Sequence, residues 1–470
     1  MYTAVLYILF KLPSGGRTEL KMNYQEFKNA VLSAAKENGL KDYELYYTES
    51  SGTSVEAYQS EINTFTSESS LGVCFKCIVD GKTGYASTEN LTAEDAVSLI
   101  KRAMENSLSI ESDEPSFIHK SGDNYLSCEA SENTEPSSSE LAAFTLKLQS
   151  EVYKTDSRVV DGTMSASGYD SSKYALCNSN GLDLEDTAAF SYSYASALVS
   201  DGENKYDGMD IASGNLDDFD AAKIAAEAVD DAVSTIGYTS VPSGNYTVVF
   251  SSKVMASMLS TYSSVFCADT AQKGLSLLAG KEGSKVAADI LTLTDDPLYK
   301  DALVKRTFDA EGAATYSKNV IEQGRLTTLL YNLATAAKAG VKTTGNAAKT
   351  SYASAVSIHP YSFYINPVKG SLDDLLSAAA NGIYVTSVEG MHAGANAITG
   401  DFSLSSGGFM IENSKKGKPV KGFTISGNFF SLLKDISLIG EDLKFNPFAL
   451  GSSRCGSPSV LVKGITIAGK

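Results

Sequence analysis

The chain has 470 residues, with 39 Lys and Arg against 56 Asp and Glu, and a formal net charge of -17. That length fits two or three domains whose core needs no disulfide or structural metal. The acidic balance, with no basic patch, argues against nucleic acid or an anionic membrane surface as main partner. No 18-residue apolar run is available to cross a bilayer.

Residues 4–10 are apolar, but no basic segment precedes them and no small-residue cleavage site follows, so a signal peptide is not expected. Met22 opens a better start. Asn23 and Glu26 have capping-box spacing, and Phe27, Val31, Ala34 and Ala35 follow at helical period. Residues 1–21 are therefore expected to be a disordered or upstream extension. Residues 55–58 and 62–65 read as short strands. Residues 71–79 and 83–87 flank Asp80-Gly81, a hairpin signal. Thr92 and Asp95 then cap a helix with Ala96, Leu99, Ile100 and Ala103 on one face.

Six scattered cysteines (Cys74, Cys77, Cys128, Cys177, Cys267 and Cys455) fit the reduced thiols of a cytoplasmic protein. Cys74 and Cys77 form a CxxC inside an alternating run. Strand geometry puts them on opposite faces, as packing thiols and not as a zinc or redox pair.

Residues 111–139 read as a solvated loop with His119 exposed in it. A helix follows with Leu141, Phe144, Leu148 and Val152 in register, then strands from about 158 to 200. Phe190, Tyr192 and Tyr194 alternate on one strand face, where sheet packing is the expected role. Asp217 starts an amphipathic helix carrying Ile224, Ala228, Val229, Ala232, Val233 and Ile236. Gly237 and Pro242-Ser243-Gly244 end it. The domain boundary is placed there. Residues 22–241 are expected as an α+β domain with antiparallel hairpins, and 242–470 as a mostly β, barrel-like domain. The second domain opens with the apolar run 246–250. A helix over 253–266 follows, whose stripe of Met255, Met258, Leu259, Tyr262 and Phe266 is expected to be buried. Strand 459–467 closes the chain.

Chemistry-bearing residues are scarce. There are three histidines, His119, His359 and His392, and no HExxH, Walker A or GxSxG pattern. His392 lies in a Gly-rich loop three residues after Glu389.

Several motif strings carry a resemblance. Phe308-Asp309-Ala310-Glu311-Gly312 is similar to the F-D-x-E-G signature of the TldD/PmbA family, also called modulators of DNA gyrase. Thr344-Gly345-Asn346 is similar to its T-G-N segment. His392-Ala393-Gly394-Ala395-Asn396, Thr399-Gly400-Asp401, Gly407-Gly408-Phe409, Gly427-Asn428 and Gly456-Ser457-Pro458 resemble the PmbA/TldE branch. The resemblance runs from about residue 22 to 470.

It implies two domains, a dimer around a shared cavity, and proteolysis of unfolded or precursor peptides. TldD subunits look like zinc metallopeptidases whose metal is held by an HExxxH helix and a Cys near the C-terminus. The corresponding helix here, 253–266, has neither His nor Glu. Cys455 is the candidate for the ligand Cys, and it abuts Gly456-Ser457-Pro458. Catalytic zinc needs three protein ligands and an open position, so the family's set is incomplete. The resemblance therefore implies a non-catalytic PmbA/TldE-type subunit that needs no cofactor itself. Its partner would be a zinc-bearing TldD-like subunit or a second copy of this chain. His392, Gly394 and Asn396 are the candidate peptide contacts, with Gly390 and Gly400 shaping their loop. Two alternatives stay open. One is a self-sufficient hydrolase using His392, Glu389, Glu311, Asp309 and Cys455; the other is a homodimeric peptide-binding scaffold. Whether the chain is itself an enzyme is left undecided at this level.

Overall fold

The computed structural model describes residues 21–109, 116–128 and 133–470. The extension expected over 1–21 falls outside these residues except for Lys21.

The first half is built twice from one plan. Helix α1 (Tyr24–Glu37) starts on the expected capping box: Asn23 Oδ1 accepts from the Glu26 amide and Glu26 Oε2 from the Asn23 amide, each at 3.0 Å. Strands β1 (Asp42–Tyr58), β2 (Glu61–Val79) and β3 (Lys82–Thr88) follow, then helix α2 (Ala93–Ser109). The series repeats as α3 (Ser138–Thr155), β4 (Met164–Asn178), β5 (Asp183–Ser200), β6 (Lys205–Gly214) and α4 (Ala221–Val233). A second capping box, Ser137 with Glu140, opens α3. The six strands form one antiparallel sheet in the order β3-β2-β1-β4-β5-β6. The two copies therefore meet back to back at β1 and β4. Each closing helix crosses its own third strand at a glycine. A Cβ on Gly84 would lie 1.9 Å from the Ala103 carbonyl oxygen, and one on Gly208 would lie 2.3 Å from that of Ala228. Only glycine lets helix and strand approach this closely.

Some expectations are corrected here. Residues 55–58 and 62–65 are not short strands but parts of β1 and β2, which run for 17 and 19 residues. Their middles are rich in Ser, Thr and Glu, so no apolar alternation marks them; continuous backbone pairing of β1 to both β2 and β4 holds them extended. Helix α4 starts at Ala221 because Asp220 Oδ1 takes the Ala222 and Lys223 amides. Asp217 sits in a preceding 3-10 turn, and the helix ends before Ile236. Helix α3 starts within the segment read as loop. His119 is not exposed: its side chain is 13% accessible and Nε2 lies 2.8 Å from Asp123 Oδ2.

The hairpin at Asp80-Gly81 forms as read, both residues having positive φ. Cys74 and Cys77 lie in separate apolar clusters on opposite faces of β2.

The second half centres on a closed five-strand barrel. Strand β7 (Gly244–Phe250) pairs with Gly382–Glu389 and with Val460–Ala468. Asp401–Glu412 and Lys415–Asn428 continue the ring, which closes between Lys415–Asn428 and Val460–Ala468. Helix α5 (Ser252–Tyr262) follows β7. It ends at Tyr262, earlier than the periodicity implied, and a 3-10 turn carries the stripe on to Phe266. Met255, Met258, Leu259, Tyr262 and Phe266 are all fully buried in the core of this half. A second sheet includes Leu293–Asp296, Ser362–Ile365 and Arg454–Ser457. The molecule is thus α+β, its second half barrel-like, as the sequence indicates.

Candidate functional site

The residues singled out from the sequence fall in three places, the last two adjoining through α5, where Thr261 Oγ1 lies 3.4 Å from Met391 Sδ. The first is a buried knot where the two halves meet. Asp309 Oδ1 accepts from the amides of Glu311 (2.9 Å) and Ala313 (3.0 Å), and Oδ2 accepts from that of Ala347 (3.0 Å). Glu311 Oε2 accepts from the Leu333 amide at 2.8 Å. Asn346 continues the knot. Its Nδ2 donates to Asp295 Oδ2 at 2.7 Å, and its Oδ1 accepts from Lys318 Nζ at 3.2 Å. The Asp309 and Glu311 carboxylates are therefore occupied by backbone amides, and Asn346 by the side chains of Asp295 and Lys318. Burial pushes both carboxyls of Asp309 and Glu311 up, and the charge on Glu311 pushes Asp309 further. The amides on Asp309 and the field of Lys76 near Glu311 oppose that rise. Such carboxyls are positioned to hold loops.

The second place is the rim of the barrel. Glu389 ends its strand exposed, and His392 is exposed on a short helix, Met391–Gly394, where a loop was expected. Asn396 Oδ1 accepts from the Ile398 and Thr399 amides, so it shapes its own turn. Gly394 is required by close approach, since a Cβ would meet the Ser403 carbonyl oxygen at 2.3 Å. Gly390 and Gly400 supply positive φ at either end.

The third place is the packing of α5 on Arg454–Ser457. Cys455 is 4% exposed, and its thiol is within hydrogen-bonding reach of Ser260 on α5. Burial pushes that thiol up to about 12, although Ser260 lowers it. Helix and cysteine thus face each other as in the resemblance, but the helix offers Ser257, Ser260 and Thr261. A thiol held protonated beside hydroxyls does not fit zinc, which takes thiolate, imidazole or carboxylate. Among the described residues no group of three His, Cys, Asp or Glu is placed to hold a metal.

Beside this packing lies a cavity of about 560 Å³ between β6 and the second half. Asp210 and Ile211 line it from β6, Lys253 from the first turn of α5, and Phe445, Leu450 and Arg454 from the C-terminal segment. Sequence reading missed these residues, because their grouping depends on β6 lying against a segment more than 200 residues away. The available signal was an arginine directly before Cys455.

The halves are joined by polar and apolar contacts. Asp186 on β5 accepts from the Thr307 amide (2.8 Å) and hydroxyl (2.7 Å), and the Arg306 guanidinium lies 3.2 Å from the centroid of the Tyr174 ring. Phe190 packs against Val304 across the same junction, a contact between the halves where packing within the sheet was expected.

A doubled α-β-β-β-α sheet joined to a closed barrel through two interlocked motif segments defines the class. The chain belongs to the PmbA/TldD metallopeptidase family. Residues 43–107, 131–236 and 243–469 match domain 1, the central domain and the C-terminal domain of the PmbA/TldA metallopeptidases. A metalloprotease PmbA homolog of Haemophilus influenzae is 25% identical, over 96% of this chain and 98% of its own. A solved Thermotoga maritima structure assigned as a modulator of a DNA gyrase is 30% identical, with TM-score 0.86, over 95% of this chain and 100% of its own. TldE of Thermococcus kodakarensis has the same fold, with TM-score 0.84 at 21% identity over 94% and 99% of the two chains.

Proposed function

We propose that this chain is a PmbA/TldE-type subunit that holds peptide for a TldD-like metallopeptidase and contributes no metal of its own. The observation carrying this reading is α5. It lies against Cys455 as a metal-bearing helix would, yet presents hydroxyls in place of imidazole and carboxylate. Zinc would belong to the partner, and the substrate would be unfolded or precursor peptide. The buried thiols of Cys74, Cys77, Cys177, Cys267 and Cys455, none of them in a disulfide, support a reducing, cytoplasmic setting. The self-sufficient hydrolase is less favoured, because Asp309 and Glu311 are occupied by backbone amides and His392 stands apart from both.

The test mixes the purified chain one-to-one with a TldD-like chain encoded in the same genome. Co-elution, zinc on the partner only, and peptide cleavage by the mixture are expected. One zinc per isolated chain together with peptidase activity would sink this reading. In the assembled pair, His392→Ala is expected to leave assembly intact and slow cleavage; unchanged kinetics would make His392 an ordinary surface residue.

A further inference from the structure

Arg454 is a half-buried cation with one terminal nitrogen unmatched among the described residues. Its Nε donates to Ser362 Oγ at 3.1 Å, and its guanidinium lies 4.1 Å from the centroid of the Phe445 ring and 5.4 Å from that of Tyr299. These contacts fix the plane of the group. Nη2 is buried, and among the described residues it has no hydrogen-bond partner. Leaving a buried charged donor unmatched is costly, so the group calls for a partner. Asp301 is near enough to be felt electrostatically, but it is 68% exposed and pairs with Lys300 at 3.7 Å.

Arg454 lines the 560 Å³ cavity together with two more cations, Lys253 and Lys444, and two acids, Asp210 and Asp231. Asp231 Oδ2 faces the Met209 amide at 3.4 Å, and burial raises the pKa of Asp210. The lining therefore leaves a small positive excess. It suits a singly charged group better than a dianion such as phosphate, which two acids would repel. A planar guanidinium with an unmatched terminal nitrogen matches a carboxylate oxygen. Phe445 and Phe448, the latter 50% exposed, supply an apolar wall beside it.

We propose that this cavity is a carboxylate subsite for peptide, with Arg454 as its anchor and Lys253 as a second cation. The carboxylate is the free C-terminus of a bound chain or an Asp or Glu side chain. This rests on the peptide-holding reading above and specifies which chemical group is held.

The test is fluorescence anisotropy of the full chain at low salt with three labelled decapeptides of Gly, Ala, Ser and Leu. One ends in a free carboxylate, one in an amide, and one in an amide after a single Glu. At least tenfold tighter binding of the free acid than of the amide is expected, with the gap lost in Arg454→Gln. Tight binding of the Glu peptide would assign the subsite to side-chain carboxylates, and weak binding to the C-terminus. Should Arg454→Gln fail to fold, Lys253→Ala is expected to narrow the gap at least threefold. Wild-type affinities within twofold for all three peptides overturn the subsite while leaving peptide holding intact. A failure of the peptide-holding reading shows separately, as loss of assembly or cleavage with the TldD-like chain.

Discussion

Glu44 on β1 is 5% exposed, and its Oε2 is buried without a hydrogen-bond partner among the described residues. Burial pushes its carboxyl up to about 7; Lys76 pulls it back and Glu311 adds to the rise. Because the folded value exceeds the ordinary 4.5, the folded state holds the proton longer than the unfolded chain. The stabilisation from this group is full below pH 4.5 and lost as pH rises to about 7. The loss amounts to roughly 3 kcal/mol at about 1.4 kcal/mol per tenfold change. Urea midpoints between pH 4.5 and 7.5 should fall less steeply in Glu44→Gln than in the wild type; equal slopes would discard this role. No pattern local to Glu44 could place it in the shadow of the knot formed by residues 309–347. That neighbourhood is made by folding, so the sequence carried no sign of its raised pKa.

At the scale of elements, local chemistry was legible wherever it was sufficient. The Asn23–Glu26 box, the Thr92–Asp95 cap and the Asp80-Gly81 turn each form within four residues, and each forms as the sequence implies. The stripe on α5 was legible for the same reason. Leu259→Ala, at a fully buried position, should cost about 2–5 kcal/mol in a denaturant melt. A loss under about 1 kcal/mol would contradict its packing. The crossings of α2 over β3 and of α4 over β6 were not legible, because a glycine in a strand does not say what lies above it. Gly84→Ala would drive a methyl into the Ala103 carbonyl and should lower stability by about 1–3 kcal/mol or more. A variant as stable as wild type would show that helix and strand separate freely. The lengths of β1 and β2 were also missed. Their Ser-rich middles owe their extension to neighbouring strands, and pairing of that kind leaves no hydrophobic period.

Across the whole molecule, the halves meet around residues 304–312, where Phe308 and Ala310 pack against Tyr46, Leu176 and Leu182 and Asp186 grips Thr307 from β5. Asp186→Ala removes a carboxylate accepting two hydrogen bonds and should cost about 1–3 kcal/mol. Calorimetry should then show the single unfolding transition broadening or splitting as the halves uncouple. A wild-type profile would place the coupling elsewhere, with the Arg306–Tyr174 contact next to be tested. The family was legible because its motif strings are read in order along the chain. Their roles were not: Asp309 and Glu311 stand out as candidate acids in sequence, and the fold surrounds them with amides. The sequence by itself determined the α+β class, the caps and turns, the buried stripe of α5 and the lack of imidazole and carboxylate on that helix. Each follows from residues within a few positions of one another. Only the tertiary structure decided the doubling of the sheet, the partial cover of His119, the pairing of Cys455 with Ser260 and the cavity at Arg454. Each of these depends on segments brought together from distant parts of the chain, and no local pattern encodes which partner a residue will meet.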